Sequence, residues 1–282
     1  MCSILGILDL HGDSDALRTR ALRLSRLQRH RGPDWSGLYA SDRAILAHER
    51  LAIVDVLHGA QPLRSTDGTH ALAVNGEIYN HQALRARLEQ PYAFQTDSDC
   101  EVILALYREK GTDFLNDLEG MFAFVLYDAG RGRYLVARDP IGIIPLYTGR
   151  DDAGRLYVAS EMKALVPVCR TIEPFPPGHF LDSEVGEIRP YYTPAWREYA
   201  AVQDGPTDPA LVREALEASV RSHLMSDVPY GVLLSGGLDS SIIAAVAAKY
   251  AARRVEDEGR SEAWWPRLHT FSIGLEGSPD LA

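Results

Sequence analysis

Cysteine is scarce, with only Cys2, Cys100 and Cys169 among 282 residues. Three thiols so far apart make neither a disulfide framework nor the paired spacing of a zinc site. Such sparse use suits a reducing compartment, so a cytoplasmic setting is expected. Positive charge is also short: Lys and Arg number 29 against 39 Asp and Glu, a net charge of −10. That balance argues against a grip on nucleic acid or on an anionic membrane surface, both of which need clustered positive charge. No apolar run approaches the roughly 18 residues of a membrane helix. The opening residues are apolar but lack a basic lead-in and soon meet Asp9, so they do not read as a secretory leader. Internal repeats and low-complexity tracts are missing too.

What is present suffices for a core. Hydrophobic residues make up 46% of the chain, and at roughly 100–200 residues per domain the length suits two domains. In the first half, strand-like runs at 71–75, 121–127 and 134–138 accompany a helix starting at His81, a pattern of antiparallel sheet with helices packed on it. Pro174, Pro176, Pro177 and Gly178 interrupt regular structure, and the polar stretch 191–209 follows, so a boundary is expected near residue 200. Beyond it come a helix at about 208–224, a buried-type strand at 230–234, a glycine-rich turn, an alanine-rich helix at 241–254 and a second strand at 269–275. Strand, glycine turn and helix in that order indicate a parallel α/β unit. The charged stretch 253–262 reads as a solvated helix end.

Behind Met1 stands Cys2, followed by Ser3-Ile4-Leu5-Gly6-Ile7. Removal of Met1 would leave a thiol and a free α-amine on one residue at the start of a strand. An α-amine titrates near 7.7–8.0, so a neutral fraction can take the thiol proton at pH 7. Attack of the thiolate on a carboxamide then gives a thioester and releases ammonia. Taken alone, a cysteine at position 2 is as readily a small buried strand residue.

The segments that follow it change that reading. Arg29-His30-Arg31-Gly32-Pro33-Asp34, Ala47-His48-Glu49-Arg50-Leu51, Asn75-Gly76-Glu77-Ile78-Tyr79-Asn80 and Asp97-Ser98-Asp99 with Glu101 occur in this order. The ordered set resembles the class II glutamine amidotransferases, whose resemblance implies an α+β N-terminal-nucleophile sandwich over residues 2–200 and glutamine as substrate. Glutamine presents a carboxylate, an ammonium and a primary amide, so its pocket needs a planar cation, an anion and amide-type partners. Arg50, Asp99 with Glu77, and Asn75 are of those types. By resemblance, Cys2 is the nucleophile, Arg50 clamps the α-carboxylate, Asp99 holds the ammonium, and Asn75 with Glu77 orients the amide. The Asn75 side chain and the Gly76 N–H would form the oxyanion hole. Read singly, Asn75-Gly76 is equally a hairpin turn, Arg50 a surface ion pair and Asp99 a helix cap. His30 and His48 are secondary candidates for a base, because the α-amine already fills that role. Cys100 and Cys169 match no catalytic position and are expected in the core or on the surface.

The run Val232-Leu233-Leu234-Ser235-Gly236-Gly237-Leu238-Asp239-Ser240-Ser241 joins strand to helix, gathering backbone N–H groups, hydroxyls and a helix N-terminus at one point. It has neither the Gly-Lys-Ser/Thr ending of a Walker A loop nor the Gly-x-Gly-x-x-Gly spacing of a dinucleotide site. It resembles instead the loop of ATP pyrophosphatases, an α/β fold with parallel strands, assigned here to residues 201–282. That resemblance implies Ser235, Gly236, Gly237, Asp239 and Ser240 around the ATP phosphates, Asp239 on Mg2+, and Leu233 and Ile273 beside the adenine. A class II glutaminase joined to a carboxylate-adenylating unit is the arrangement of the asparagine synthetases, with ATP and aspartate as further substrates and a homodimer as a possible assembly. The likeness includes Tyr230-Gly231-Val232, Trp264-Trp265-Pro266 and Gly274-Leu275.

Members of that family continue well past Ala282 with a second nucleotide motif and the aspartate pocket, so the chain is expected to be a shortened form retaining at most the glutaminase half. The related β-lactam synthetases share the architecture and leave the acceptor open. A catalytically silent chain acting by association is a third reading, favoured if Met1 is retained.

Overall fold

The computed structural model describes residues 1–11, 14–203, 205, 208–251, 268–274 and 277. They fall into two compact units, Met1–Arg197 and Glu198–Ala282.

The first unit is built on two six-stranded antiparallel sheets. One contains β1 (Ser3–Leu8), β2 (Trp35–Ala40), β3 (Ala44–Arg50), β8 (Tyr147–Arg150), β9 (Leu156–Ala159) and β10 (Thr171–Pro174), in the order β10-β8-β9-β1-β3-β2. The other contains β4 (Leu63–Arg64), β5 (His70–Ile78), β6 (Gly120–Asp128), β7 (Arg133–Arg138), β11 (His179–Asp182) and β12 (Ile188–Pro190), in the order β12-β11-β7-β6-β5-β4. Side-chain alternation assigns each face. Ile4 and Leu8 of β1 and Ala44 and Leu46 of β3 join Ala71, Ala73, Ala123, Val125 and Val136 in one cluster between the sheets. Leu5, Ile7, Ile45 and Ala47 point the other way and pack on Leu17, Ala21 and Leu24. Those three lie at i, i+4 and i+7 of α1 (Ser14–Arg26), which is one stripe of a helix. On the far side of the second sheet, Leu72, Val74, Phe122, Phe124 and Leu126 meet Leu84 of α2 (His81–Ala86) and Val102, Ile103 and Leu106 of α3 (Val102–Lys110).

The result is helix, sheet, sheet, helix. Both faces of the central strands are covered, which is why β1 and β6 read as nearly unbroken apolar runs instead of alternating ones.

The expected strand at 71–75 runs on to Ile78, paired residue for residue with β6 from His70↔Asp128 to Ile78↔Gly120. Asn75 and Gly76 therefore lie inside a strand and not in a hairpin turn. The strands expected at 121–127 and 134–138 are present as β6 and β7.

In the second unit, α4 (Pro209–His223) starts on Asp208, whose carboxylate accepts from the Ala210 N–H at 2.8 Å. After it come β13 (Gly231–Leu233), α5 (Leu238–Ala251) and β14 (His269–Phe271), with β13 and β14 parallel in the register Gly231↔His269 to Leu233↔Phe271. Val220, Leu224 and Ala247 form its small core. The strand expected to be of the buried type differs: Leu233 is 82% exposed. A two-stranded parallel pair offers little partner surface, so its apolar residues stay open to solvent within this unit. Residues 253–262 and the run 264–266 lie outside the described residues, as does Leu275.

The rings of Phe114, Phe122 and Phe124 stack in series, with centroids 6.4 Å apart for Phe114–Phe124 and 5.9 Å for Phe122–Phe124. All three are fully buried. Truncating the middle ring, Phe124→Ala, is expected to lower stability by about 3–5 kcal/mol, measured as the shift in urea unfolding of the first unit.

Candidate functional site

Cys2 sits immediately before β1, at the end where that strand leaves the sheet. Its Sγ accepts from the Leu51 N–H at 3.3 Å and can donate to the Leu51 carbonyl at 3.4 Å. Its own carbonyl receives Arg31 Nε at 3.0 Å. Thiol and main chain are thus held from two sides, by the residue after β3 and by the turn that follows α1. The same turn is anchored further along: Asp34 Oδ2 accepts from the Ala52 N–H at 2.9 Å, and Arg31 Nη1 lies 3.2 Å from Glu161 Oε1. The Arg29–Asp34 motif therefore acts on the backbone around Cys2, and only indirectly on the cleft.

That cleft is lined by Cys2, Arg50, Gln61, Asn75, Gly76, Glu77, Asp99, Cys100 and neighbouring residues, Met1 among them. It brings together Cys2, Arg50, Asn75, Gly76, Glu77 and Asp99, but neither of the candidate histidines, His30 and His48. Arg50, at the end of β3, is buried, and none of the salt bridges among the described residues involves it. Its guanidinium is instead gripped by three main-chain carbonyls, Val54 at 3.1 Å, Asp55 at 2.6 Å and Val56 at 3.1 Å. Carbonyl dipoles orient the cation without neutralising it, so an anion entering the cleft finds an uncompensated positive charge. Gly59 permits the approach, since a Cβ there would lie 2.6 Å from Arg50 Nη2. The supporting loop is fixed by Asp55, whose carboxylate accepts from the His58 N–H at 3.0 Å and from the Asp97 N–H at 2.9 Å.

The acidic side comes from β5 and the turn before α3. Asp99 accepts from the Ile78 N–H at 2.7 Å. Burial pushes its carboxyl above the usual carboxylate range, against that hydrogen bond and the nearby His81. Glu77 is pushed up to about 7, first by burial and then by the charge of Asp99. Two neighbouring carboxyls in a poorly solvated cleft thus hold a proton more readily than usual, a state that an incoming ammonium would relieve. The Cys2 thiol is also raised, by burial, while the Leu51 contact, the amino terminus and Arg50 oppose the shift. Burial lowers the Met1 amine from its ordinary value.

Asn75 and Gly76 line the same cleft. Gly76 has φ +146°, and a Cβ there would fall 2.0 Å from the Met121 carbonyl oxygen. Only glycine fits, because the position demands both an unusual backbone angle and direct contact with β6. Asn75 is fully buried, its Nδ2 donating to Ser160 Oγ at 3.4 Å.

The histidines divide. His48 is fully buried in β3 with Nε2 2.8 Å from the Val74 carbonyl, and burial drops it to about 4, so it is neutral at pH 7. His30 is exposed, 3.0 Å from Glu161, and away from the cleft lining. Several residues of the site had no signal in the sequence. Gln61 lines the cleft and accepts the Val74 N–H at 2.7 Å. Cys100, expected in the core or on the surface, is buried and also reaches the cleft, 3.6 Å from Asp99 Oδ2 and from the Gly76 carbonyl. Cys169 packs with α1 in the core.

The nucleotide-loop residues lie in the second unit. Ser235 N–H donates to Ser240 Oγ at 3.3 Å, and the hydroxyls of Ser240 and Ser241 donate to the Gly237 carbonyl at 3.1 and 2.8 Å. Leu234 N–H bonds the Phe271 carbonyl at 2.8 Å, tying the turn to β14. The turn opens directly into α5, a helix long enough for its N-terminus to favour an anion. This donor set fits a polyphosphate. Asp239 stands in the first turn of α5, and among the described residues no group of three or more His, Cys, Asp or Glu could hold a metal without a ligand's oxygens. Ile273 is 96% exposed.

A helix-flanked double antiparallel sheet with a cysteine at the lip of one sheet, beside an oriented cation and two carboxyls, is the architecture of N-terminal-nucleophile amidotransferases. The chain belongs to the glutamine amidotransferase family, whose domain model matches residues 1–189. Residues 211–282 match the asparagine synthase model. Asparagine synthetase B [glutamine-hydrolyzing] of Escherichia coli (strain K12) is 69% identical over 281 residues, covering 100% of this chain and 51% of that protein. A probable asparagine synthetase [glutamine-hydrolyzing] of Dictyostelium discoideum is 51% identical, covering 100% of this chain and 52% of its own length. The chain thus spans about half the length of the curated relatives it matches. Among solved structures, glutamine phosphoribosylpyrophosphate amidotransferase from B. subtilis, complexed with ADP and GMP, superposes with a TM-score of 0.58 at 22% identity, covering 88% of this chain and 64% of that one. At that identity the likeness concerns the fold. Among the described residues no helix is long and apolar enough to cross a membrane.

The Glu77 carboxyl yields a stability prediction. Its folded value of about 7 lies above the ordinary 4.5, so folding is favoured by its proton below pH 4.5 and that contribution is lost as pH rises through 7. Glu77→Gln is expected to match the parent near pH 4.5 and to exceed it at pH 8 by about 1–3 kcal/mol, measured by urea unfolding at the two pH values.

Proposed function

We propose that residues 2–200 hydrolyse glutamine and that residues 201–282 belong to an ATP-using unit, the two together being part of a glutamine-dependent asparagine synthetase. The observation that carries the first half is the cleft itself: a held thiol beside a cation without a counterion and two raised carboxyls. That is the complement of a zwitterionic amino acid with an amide at its far end. Arg50 receives the α-carboxylate, Asp99 the ammonium, and Glu77 with Asn75 the side-chain amide. Met1 is removed, and the α-amine then belongs to Cys2.

The chemistry balances on that one residue. The α-amine takes the thiol proton, and sulfur attacks the carboxamide carbon. The oxyanion so formed is met by Asn75 Nδ2 and the Gly76 N–H. The tetrahedral adduct collapses with cleavage of the C–N bond, and the leaving nitrogen takes the proton from the α-ammonium to depart as ammonia. Water adds to the thioester, releasing glutamate and restoring the thiol. His48, neutral and spent on the Val74 carbonyl, takes no proton in this sequence.

For the second unit, the fit of the turn to a polyphosphate and the match to the asparagine synthase model support ATP as substrate. Ser235, Gly236, Gly237 and Ser240 would hold its phosphates, Asp239 the accompanying Mg2+, and Leu233 and Ile273 would face the base. Bound magnesium would supply charge neutralisation on the departing pyrophosphate. In the whole protein the acceptor is aspartate, activated as β-aspartyl-AMP and converted by ammonia to asparagine and AMP. A cytoplasmic setting is proposed because all three cysteines are free thiols.

The purified, Met1-processed chain is expected to release glutamate from glutamine, and Cys2→Ala to abolish it. Chain that retains Met1, identified by intact mass, is expected to lose at least about 10²-fold in rate for want of its base. Turnover that survives Cys2→Ala would refute the proposal.

A further inference from the structure

Ser160, directly after β9, is fully buried at the meeting point of the nucleophile strand and the proposed oxyanion donor. Its N–H donates to the Ile4 carbonyl at 3.1 Å, and its Oγ accepts from the Ile4 N–H at 3.0 Å. Asn75 Nδ2 donates to the same Oγ at 3.4 Å. Two groups are left over. Asn75 Oδ1 is buried with no hydrogen-bond partner, and the Ser160 hydroxyl, already accepting twice, still has its own proton to give.

Half a turn of the Asn75 carboxamide pairs Oδ1 with the Ser160 proton and leaves the amide N–H groups as the unpaired donors in place of an unpaired acceptor. Oδ1 then accepts from the Ser160 hydroxyl, while Nδ2 takes the place of the orphaned oxygen with its protons unspent. Serine can support either orientation because a hydroxyl both accepts and donates. Alanine can support neither.

We propose that Ser160 is a positioning residue for amide hydrolysis, the pivot on which the Asn75 carboxamide turns. In the resting site it accepts from Nδ2; in the reacting site it donates to Oδ1, so that Nδ2 is presented to the oxyanion. The inference rests on the reading of Asn75 as an oxyanion donor and adds the residue that sets its direction. Anion development beside Asn75 is what favours the second orientation, since an amide oxygen facing an oxyanion is repelled and an amide N–H is attracted.

The test uses the Met1-processed chain as wild type, Cys2→Ala, Ser160→Ala, Asn75→Ala and the Ser160→Ala, Asn75→Ala double variant. Two readouts are taken: glutamate release, and affinity for glutamate γ-semialdehyde. In that aldehyde a carbon–sulfur bond forms with Cys2 as the carbonyl π bond breaks, and the thiol proton passes to the oxygen, giving a thiohemiacetal that uses the oxyanion site. Asn75→Ala is expected to lower kcat by about 10²–10³-fold. Ser160→Ala should lower kcat by roughly 10-fold or more and weaken the aldehyde in proportion, with the KM for glutamine changed less than about threefold. The double variant should be no slower than Asn75→Ala. A Ser160→Ala enzyme that binds the aldehyde as tightly as wild type, or whose loss adds in full to that of Asn75→Ala, overturns the role of Ser160 alone. A wild type that shows no Cys2-dependent aldehyde binding and no turnover overturns the glutaminase reading and this inference with it. A neutron crystal structure of the wild-type aldehyde adduct needs no variant. Deuterium on Ser160 Oγ directed at Asn75 Oδ1 is expected, and Nδ2 still donating to Ser160 overturns the proposal.

Discussion

Everything at the cleft depends on β1 having no freedom. All six of its residues are buried, its two edges are taken by β3 and β9, and its two faces by α1 and by the second sheet. A strand constrained on four sides cannot slip by one residue without turning its whole apolar set to the wrong face. The residue just before it is therefore delivered to one place. Leu51 on the thiol and Arg31 on the carbonyl complete that delivery, and both are positioned by elements paired or packed directly on β1.

The same close packing is what makes the cleft electrostatically uncomfortable. Arg50 is surrounded by carbonyl oxygens in place of a carboxylate, and Glu77 and Asp99 are pressed together where water is scarce. Left to itself, each arrangement opposes folding. Cation and anions held apart in a desolvated space become useful only when a molecule carrying the opposite charges arrives. The stable sheets around them absorb the penalty, which is why the charged residues sit at strand ends and strand-proximal turns, and not on free loops.

The two units differ in how they prepare for an anion. In the first, a single guanidinium is aimed by main-chain carbonyls. In the second, a strand-to-helix turn carries backbone N–H groups and hydroxyls, with the Ser235 and Ser240 hydroxyls bonded to each other and Ser240 donating to the Gly237 carbonyl. The first arrangement suits a compact carboxylate and the second a larger, more diffuse phosphate charge. Leu233 and Ile273 illustrate the contrast in burial, both apolar and both open, where the central strands β1 and β3 of the first unit are buried along their whole length.

By itself the sequence determined the chemical inventory and its order: Cys2 behind the initiator methionine, Arg50, Asn75-Gly76, Glu77 and Asp99, then a glycine-rich turn between strand and helix. Those are local properties, residue types and spacings that survive without knowing what lies opposite. It could not decide between meanings that differ only in partners. Asn75-Gly76 might have been a turn, and is the middle of a strand because β6 pairs along its whole length. His48 was a secondary candidate for a base, and is a neutral donor because both sheets close over it. Ser160 and Gln61 gave no local sign, since a lone serine or glutamine is ordinary anywhere; tertiary structure alone brings them to Asn75 and Val74. The strand after residue 200 was legible as a strand but not as an exposed one, for burial is set by what packs against a segment, and that information is never contained in the segment itself.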